Sequence, residues 1–171
     1  MPEHAYNHFE AKRISADCNT KIKGGVDDVF ALACPVEELK WIDNWEFDMI
    51  FSASGKNENN CIFKETMSGL FVLNSPETDT YWYTTLYDTD THRFHALLIY
   101  GSNATGKFEF ETRQDGDGYS TAHWGLTFTA LNEAGNMMAD ASLKDRMSGM
   151  LNFLSESAKH YLETGKILRV G

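Results

Sequence analysis

The chain has 171 residues, and its 25 Asp and Glu against 15 Lys and Arg give a formal charge of −10. Nucleic acids and anionic membrane surfaces attract clustered Lys and Arg, so this balance counts against both as the main partner. An aromatic content of 13% argues against disorder, and the length is that of one ordinary domain, so we expect a single domain over residues 1–171.

The cysteines and the N-terminus bear on the compartment. Cys18, Cys34 and Cys61 are an odd number at wide spacing, which favours reduced thiols over a disulfide framework. The first residues show no basic segment followed by an apolar run, and no stretch reaches the ~18 apolar residues of a membrane span. We therefore expect a cytoplasmic protein with no membrane span and no nucleic-acid partner.

The first quarter of the chain predicts one strand followed by two short helices. Residues from about Tyr6 to Ile22 are extended in character, and a pair of glycines ends them. The pattern from Val26 fits a short helix with acidic residues in its first turn. Pro35 ends that helix and can begin a second one, with Glu38 near its positive end.

From Trp45 onwards apolar and polar residues alternate, which predicts a run of strands. Polar segments rich in Gly, Asn or Asp separate these strands, and such short connections require neighbouring strands to run antiparallel. The predicted strands are 45–52, 61–67, 79–88, 92–100, 105–114 and 119–131.

The last segment, roughly 140 to 164, predicts a long amphipathic helix, because apolar residues recur there at three- and four-residue spacing. Asp140 or Ser142 can cap its start, and Gly165 can supply the left-handed residue after its end. The apolar stripe needs a partner, and only the inner face of the sheet is large enough. We therefore expect the sheet to curl around this helix.

Apparent metal motifs fail on geometry. His92 and His95 are three residues apart on a predicted strand, so their side chains point to opposite faces and cannot share a metal. The segment 115–118 (DGDG) lacks the further ligands of a calcium loop and lies where a hairpin turn is needed. The sequence thus predicts neither a metal nor a cofactor.

The order of elements resembles the helix-grip fold of the SRPBCC superfamily, which includes START-like proteins and polyketide cyclases. Segments 29–38 (VFALACPVEE) and 41–45 (WIDNW) resemble the helix-helix entry of bacterial members without assigned chemistry, and 121–131 resembles their last strand. The resemblance extends from about Tyr6 to Leu168. It implies an α+β fold in which a curved seven-stranded antiparallel sheet wraps around the long C-terminal helix, leaving a cavity where most relatives bind or transform an apolar molecule.

Alternation predicts which side chains would line such a cavity. Trp124 and Phe128 fall on the apolar face of the last strand, and the face beginning at Trp45 continues to Phe51. A filled core is the alternative interpretation, and the inward faces of 79–88 and 92–100 stay open. The candidate ligand-binding residues are Trp45, Phe47, Phe63, Glu65, Trp82, Phe108, Phe110, Trp124, Phe128, Met147, Met150, Leu151 and Leu154.

Glu65 is the candidate catalytic residue, because it shares a strand face with Cys61, Phe63 and Met67. Burial would raise the pKa of its carboxyl group, which could then act as a general acid or base or hold a ligand hydroxyl. Alternatively the strand lies at a sheet edge, or its faces are reversed, and Glu65 is solvated or paired with an Arg.

Three functions remain open, and with them the question of catalysis. The first is binding or transport of a lipid, sterol, polyketide or aromatic molecule by a monomer or homodimer. The second is a cyclase, aromatase or hydrolase that uses a pocket carboxylate. The third is a protein-interaction domain like the chaperone-ATPase activators of the superfamily. The sequence shows no evident pair of acid and base, which favours binding.

Overall fold

The structure is a computed structural model that describes residues 9–65 and 79–169. Within these ranges the chain forms seven strands and four helices. The strands are β1 (Arg13–Lys23), β2 (Phe47–Phe51), β3 (Ile62–Glu65), β4 (Thr80–Asp88), β5 (Arg93–Tyr100), β6 (Ala104–Gln114) and β7 (Tyr119–Ala130), and the helices are α1 (Val26–Ala31), α2 (Pro35–Glu38), α3 (Glu133–Met138) and α4 (Leu143–Thr164).

The seven strands form one antiparallel sheet in the order β1-β7-β6-β5-β4-β3-β2. Strands β2 to β7 follow one another as a meander, as the short connections predicted. The first strand returns to pair with the last, from Arg13 opposite Thr129 to Lys23 opposite Tyr119. The edges of the sheet are therefore β1 and β2, and β3 lies inside it.

The long helix α4 packs on the inner face of the sheet, mainly against β1 and β7. Leu143, Met147 and Leu151 recur every four residues and are fully buried in this contact. Gly165 ends the helix with a φ of 68°, as predicted, and Ser142 occupies the N-cap position without a side-chain cap. This arrangement confirms the predicted helix-grip architecture with two short helices between β1 and β2.

The predicted inward face of β7 is also confirmed. Its side chains are all buried, namely those of Ala122, Trp124, Leu126 and Phe128. Alternation fails on β2, where the predicted inward side chain of Phe51 is 54% exposed. A register shift between Met49 and Phe51 breaks the period of two at this edge strand.

The structure differs from the prediction at the start of the first strand and in one additional helix. The first strand begins at Arg13, whereas the predicted strand began near Tyr6, and residues 1–8 lie outside the described ranges. The short helix α3 was not predicted at all. Its start is capped by Asn132, whose side-chain oxygen accepts a hydrogen bond from the Gly135 N–H at 2.9 Å. Within the described ranges, no helix combines the length and apolar character needed to cross a membrane.

The junction of α1 and α2 is fixed to the sheet by a buried amide. The side chain of Asn57 donates to the Ala33 carbonyl at 2.9 Å and accepts from the Thr84 hydroxyl at 2.7 Å. Asn57 comes from the loop between β2 and β3, and Thr84 from β4. These two bonds therefore hold the corner between the short helices over the middle of the sheet.

Candidate functional site

A partly enclosed cavity of about 50 Å³ lies between the inner face of the sheet, the α1–α2 corner and α4. Each of these three parts contributes one wall. The corner supplies Ala33, Pro35, Glu38, Ile42 and Trp45, the sheet supplies Phe63, Glu65, Trp82, Phe94, Phe108, Phe110 and Trp124, and the helix supplies Met150, Phe153 and Leu154.

The sheet wall is a continuous set of aromatic rings in contact with one another. Phe63 on β3 stacks on Trp82 of β4, with ring centroids 5.5 Å apart. Trp82 in turn meets the edge of Phe108 at 5.2 Å, and Phe110 lies 4.3 Å from Trp124. Antiparallel pairing places Phe63 opposite Trp82 and Phe110 opposite Trp124 on adjacent strands. Trp82 and Phe108 meet across β5, where the small side chain of Ala96 lies opposite Phe108.

Glu65 lies at the cavity, with its carboxyl group held by a neighbouring ring. The indole N–H of Trp82 donates a hydrogen bond to Glu65 Oε2 at 3.1 Å. Burial raises the pKa of Glu65 to about 7, against the opposing effect of this hydrogen bond. Because β3 lies between β2 and β4, the alternative of a solvated edge position for Glu65 is wrong.

Glu38 faces the same cavity from the opposite wall, and the sequence interpretation missed it. Burial, together with the negative charge of Glu65, raises the pKa of Glu38 to about 8. The spacing of residues in the sequence could have indicated this position. Glu38 is three residues after Pro35 and four before Ile42, and both of these residues are buried. Helical spacing therefore turns Glu38 inward, whereas its neighbour Glu37 pairs with Lys40 at 2.5 Å.

Two buried polar atoms near the cavity have no hydrogen-bond partner within the described part of the chain. One is the indole N–H of Trp124, which belongs to the cavity wall, and the other is the hydroxyl of Tyr100. Glu65, Thr80 and Tyr100 lie opposite one another on three adjacent strands, so all three share the inner face. Burial and the charge of Glu65 raise the pKa of Tyr100 well above its usual value.

The structure brings nine of the predicted ligand-binding residues together at the cavity. The other four, Phe47, Phe128, Met147 and Leu151, lie outside its wall. Met147 and Leu151 lie on the stripe of α4 that is buried against the sheet, and Phe128 stacks on Tyr100 at 6.0 Å. A role of any of the thirteen in ligand binding stays a prediction. The nine at the cavity are Trp45, Phe63, Glu65, Trp82, Phe108, Phe110, Trp124, Met150 and Leu154.

The wall also contains residues that the sequence interpretation did not select, besides Glu38. Phe94 was missed because strand 92–100 is apolar on both faces, so that alternation did not reveal its inward side. Ala33, Pro35 and Ile42 line the cavity only because the α1–α2 corner folds back over the sheet. Phe153 lies beside Leu154 on α4.

Solved structures with the same architecture support the fold. An aromatase/cyclase, Zhui, from Streptomyces sp. R1128 superposes with a TM-score of 0.66 at 9% identity, over 92% of this chain and 100% of that chain. Norcoclaurine synthase from Thalictrum flavum superposes with a TM-score of 0.64 at 8% identity, over 96% of this chain and 96% of that chain. A START superfamily protein from Mycobacterium smegmatis superposes with a TM-score of 0.65 at 8% identity, over 89% of this chain and 99% of that chain.

No protein-family model matches the sequence, and no curated protein matches it. At identities of 8 to 9% the structural likeness establishes the fold alone. One of these solved structures is named as a START superfamily protein. The predicted helix-grip fold is therefore confirmed.

Proposed function

We propose that this helix-grip protein binds a small, largely apolar molecule in the cavity between its sheet and α4. The composition of the wall is the observation that supports this most strongly. Of the fifteen described residues that line the cavity, eight are aromatic and two are carboxylic acids. Pockets for small molecules have this composition, in which an apolar lining provides affinity and a few polar groups fix orientation.

The size of the cavity bears on the kind of ligand. A volume of about 50 Å³ exceeds what one water molecule needs, but it is small beside the cavities that hold large lipids. We therefore expect a compact, flat ligand, or one that enters while side chains of α4 move. Met150 is suited to such movement, because its unbranched thioether adapts to irregular shapes.

A planar probe with one hydroxyl group, 2-naphthol, tests this proposal by isothermal titration calorimetry. Leu154→Phe fills the cavity from the α4 side, and we expect it to weaken binding at least about tenfold. Leu131→Phe is the matched control, because Leu131 is 50% exposed and does not line the cavity. Equal affinity in all three proteins, or no binding to the wild-type chain, would count against the proposal.

Acid and base catalysis on the bound molecule is the second candidate, and the pair of Glu38 and Glu65 favours it. Two carboxyl groups with pKa values of about 8 and about 7 can hold and release a proton near neutral pH. Two solved structures of this fold are named as a synthase and an aromatase/cyclase.

A further inference from the structure

We propose that the ligand carries a protonated amine on an aromatic or apolar body, with its nitrogen between the carboxyl groups of Glu38 and Glu65. This inference rests on the proposed function and specifies the chemical class of the ligand. It follows from three features of the cavity: the position of the two carboxyl groups, the absence of a competing cation in the wall, and the aromatic faces around them.

The two carboxyl groups come from different walls of one cavity. Glu38 lies at the end of α2, and Glu65 lies on the inner face of β3, within hydrogen-bond distance of Trp82. Their charges interact, since the charge of Glu65 contributes to the raised pKa of Glu38. Two like charges in an apolar cavity are costly unless protons or a cation neutralise them.

Among the described residues that line the cavity there is no Lys, Arg or His. The segment 66–78, which follows Glu65 in the chain, contains none of these residue types either. Two cations at the corner have other partners. Lys40 pairs with Glu37 at 2.5 Å, and Arg169, from the segment after α4, pairs with Asp43 at 2.6 Å. A cationic ligand therefore meets two acceptors that have no other cation within the described wall.

Aromatic rings surround the carboxyl groups. Trp82 donates to Glu65, Phe63 stacks on Trp82, and Trp45 meets the edge of Phe63 with centroids 6.5 Å apart. The negative face of an aromatic ring attracts an ammonium group, most strongly where water is excluded. A metal ion would instead require further oxygen ligands, whereas the rest of the described wall is aromatic or aliphatic.

The cavity wall also contains a hydrogen-bond donor. The indole N–H of Trp124 is buried, lines the cavity and has no partner among the described residues. A buried donor of this kind costs free energy unless a ligand or a water accepts its hydrogen bond. The wall thus provides two acceptors, Glu38 and Glu65, and one donor on β7, which fits a polar aromatic amine.

Benzylamine and benzyl alcohol test the inference, because they have nearly the same shape and differ in charge. Titration calorimetry at about pH 8.5, where both carboxyl groups are largely ionised, measures their affinities for the wild-type chain. We expect benzylamine to bind at least about tenfold more tightly, which corresponds to about 1.4 kcal/mol. In the double variant Glu38→Gln, Glu65→Gln we expect this ratio to fall to about one.

Glu156→Gln is the matched control, because Glu156 is exposed on α4 and does not line the cavity, and it should keep the wild-type ratio. A second readout needs no variant. Lowering the pH from about 8.5 to about 6 protonates the carboxyl groups, so the preference for benzylamine should decline in the wild-type chain. The titratable group that adjoins them from β5 is Tyr100, which stays neutral over this range because its pKa is raised.

The outcomes separate the two proposals. Equal or tighter binding of benzyl alcohol by the wild-type chain would overturn the amine inference and leave the small-molecule cavity standing. A preference for benzylamine that survives in the double variant, or that does not change with pH, would also overturn it. Failure of both compounds to bind, in a chain that binds 2-naphthol, would overturn the inference alone. Failure of all three compounds to bind would overturn the proposed function as well.

Discussion

The indole N–H of Trp82 donates a hydrogen bond to Glu65 Oε2 at 3.1 Å, so a ring on β4 holds a carboxyl group on β3 at the cavity wall. This contact stabilises the ionised form of Glu65, whereas burial stabilises the neutral form. Burial is the larger effect, and the two together leave the pKa of Glu65 at about 7.

Removing that donor should raise the pKa of Glu65 further. Trp82→Phe keeps an aromatic ring but loses the N–H, so we expect the pKa to increase from about 7 by up to about one unit. Carbon-detected NMR titration of the Glu65 carboxyl group measures it. Trp45→Phe is the control, because the Trp45 indole donates to the Pro35 carbonyl at 2.9 Å. An unchanged or lower pKa in Trp82→Phe would contradict the account.

The buried carboxyl groups should make the chain less stable as the pH rises. The folded pKa values of about 8 for Glu38 and about 7 for Glu65 lie above the ordinary value of 4.5. Between about pH 4.5 and pH 8 the native state therefore binds more protons than the unfolded state, and the contribution of this pair to the free energy of unfolding falls with rising pH.

Replacing either carboxyl group with an amide should remove the contribution of that group to the decrease in the free energy of unfolding with rising pH. We expect Glu38→Gln and Glu65→Gln to match the wild-type free energy of unfolding at about pH 4.5. At about pH 9 each should exceed it by more than about 1.4 kcal/mol, the equivalent of one pKa unit. Urea denaturation across this range measures the difference, with Glu156→Gln at an exposed position of α4 as the control. A difference that is constant with pH would show that the carboxyl groups are solvated in the folded chain.

The buried amide of Asn57 should be important for stability. Asn57→Ala leaves the Ala33 carbonyl and the Thr84 hydroxyl without the bonds of 2.9 and 2.7 Å that they now make. We expect the free energy of unfolding to fall by about 2 kcal/mol or more. Asn152→Ala, at an exposed position of α4, should change it by less than about 0.5 kcal/mol. Similar results for the two variants would rule out a stabilising role for the Asn57 contacts.

One substitution should have opposite effects at two helical glycines. A Cβ at Gly135 in α3 would lie 2.1 Å from the Asn103 carbonyl oxygen, whereas a Cβ at Gly149 in α4 would meet nothing within 4 Å. We expect Gly135→Ala to destabilise the chain by about 1 to 3 kcal/mol and Gly149→Ala to stabilise it by about 0.5 to 1 kcal/mol. Thermal unfolding compares them, and effects of the same sign would be inconsistent with this packing of α3.

The elements that could be predicted from sequence are those in which apolar residues recur with a regular period. The inward face of β7, which contains Trp124 and Phe128, and the buried stripe of α4 both follow from spacing alone. Phe51 was predicted wrongly, because a bulge in β2 changes the period within a five-residue strand. The helix α3 was missed because its short sequence, EAGNMM, includes Gly and Asn, and its contacts with the β5–β6 turn are tertiary.

Of the two carboxylic acids at the candidate site, the sequence allowed the prediction of one. Glu65 could be selected because it lies on an apolar strand face that alternation reveals. Glu38 belongs to a one-turn helix, where acidic residues near the N-terminus are ordinary and solvated. Its position at the cavity depends on how the α1–α2 corner docks on the sheet, which contacts such as the Asn57 bond to Ala33 determine and local sequence does not.

Methionine-methyl NMR during titration with 2-naphthol locates the bound ligand within the fold. Met150 lines the cavity, whereas Met137 on α3 is 75% exposed and lies outside it. We predict a saturable shift of the Met150 methyl resonance and no shift of the Met137 resonance. A shift confined to Met137, or an unchanged Met150 resonance under conditions in which 2-naphthol is bound, would contradict the cavity as the binding site.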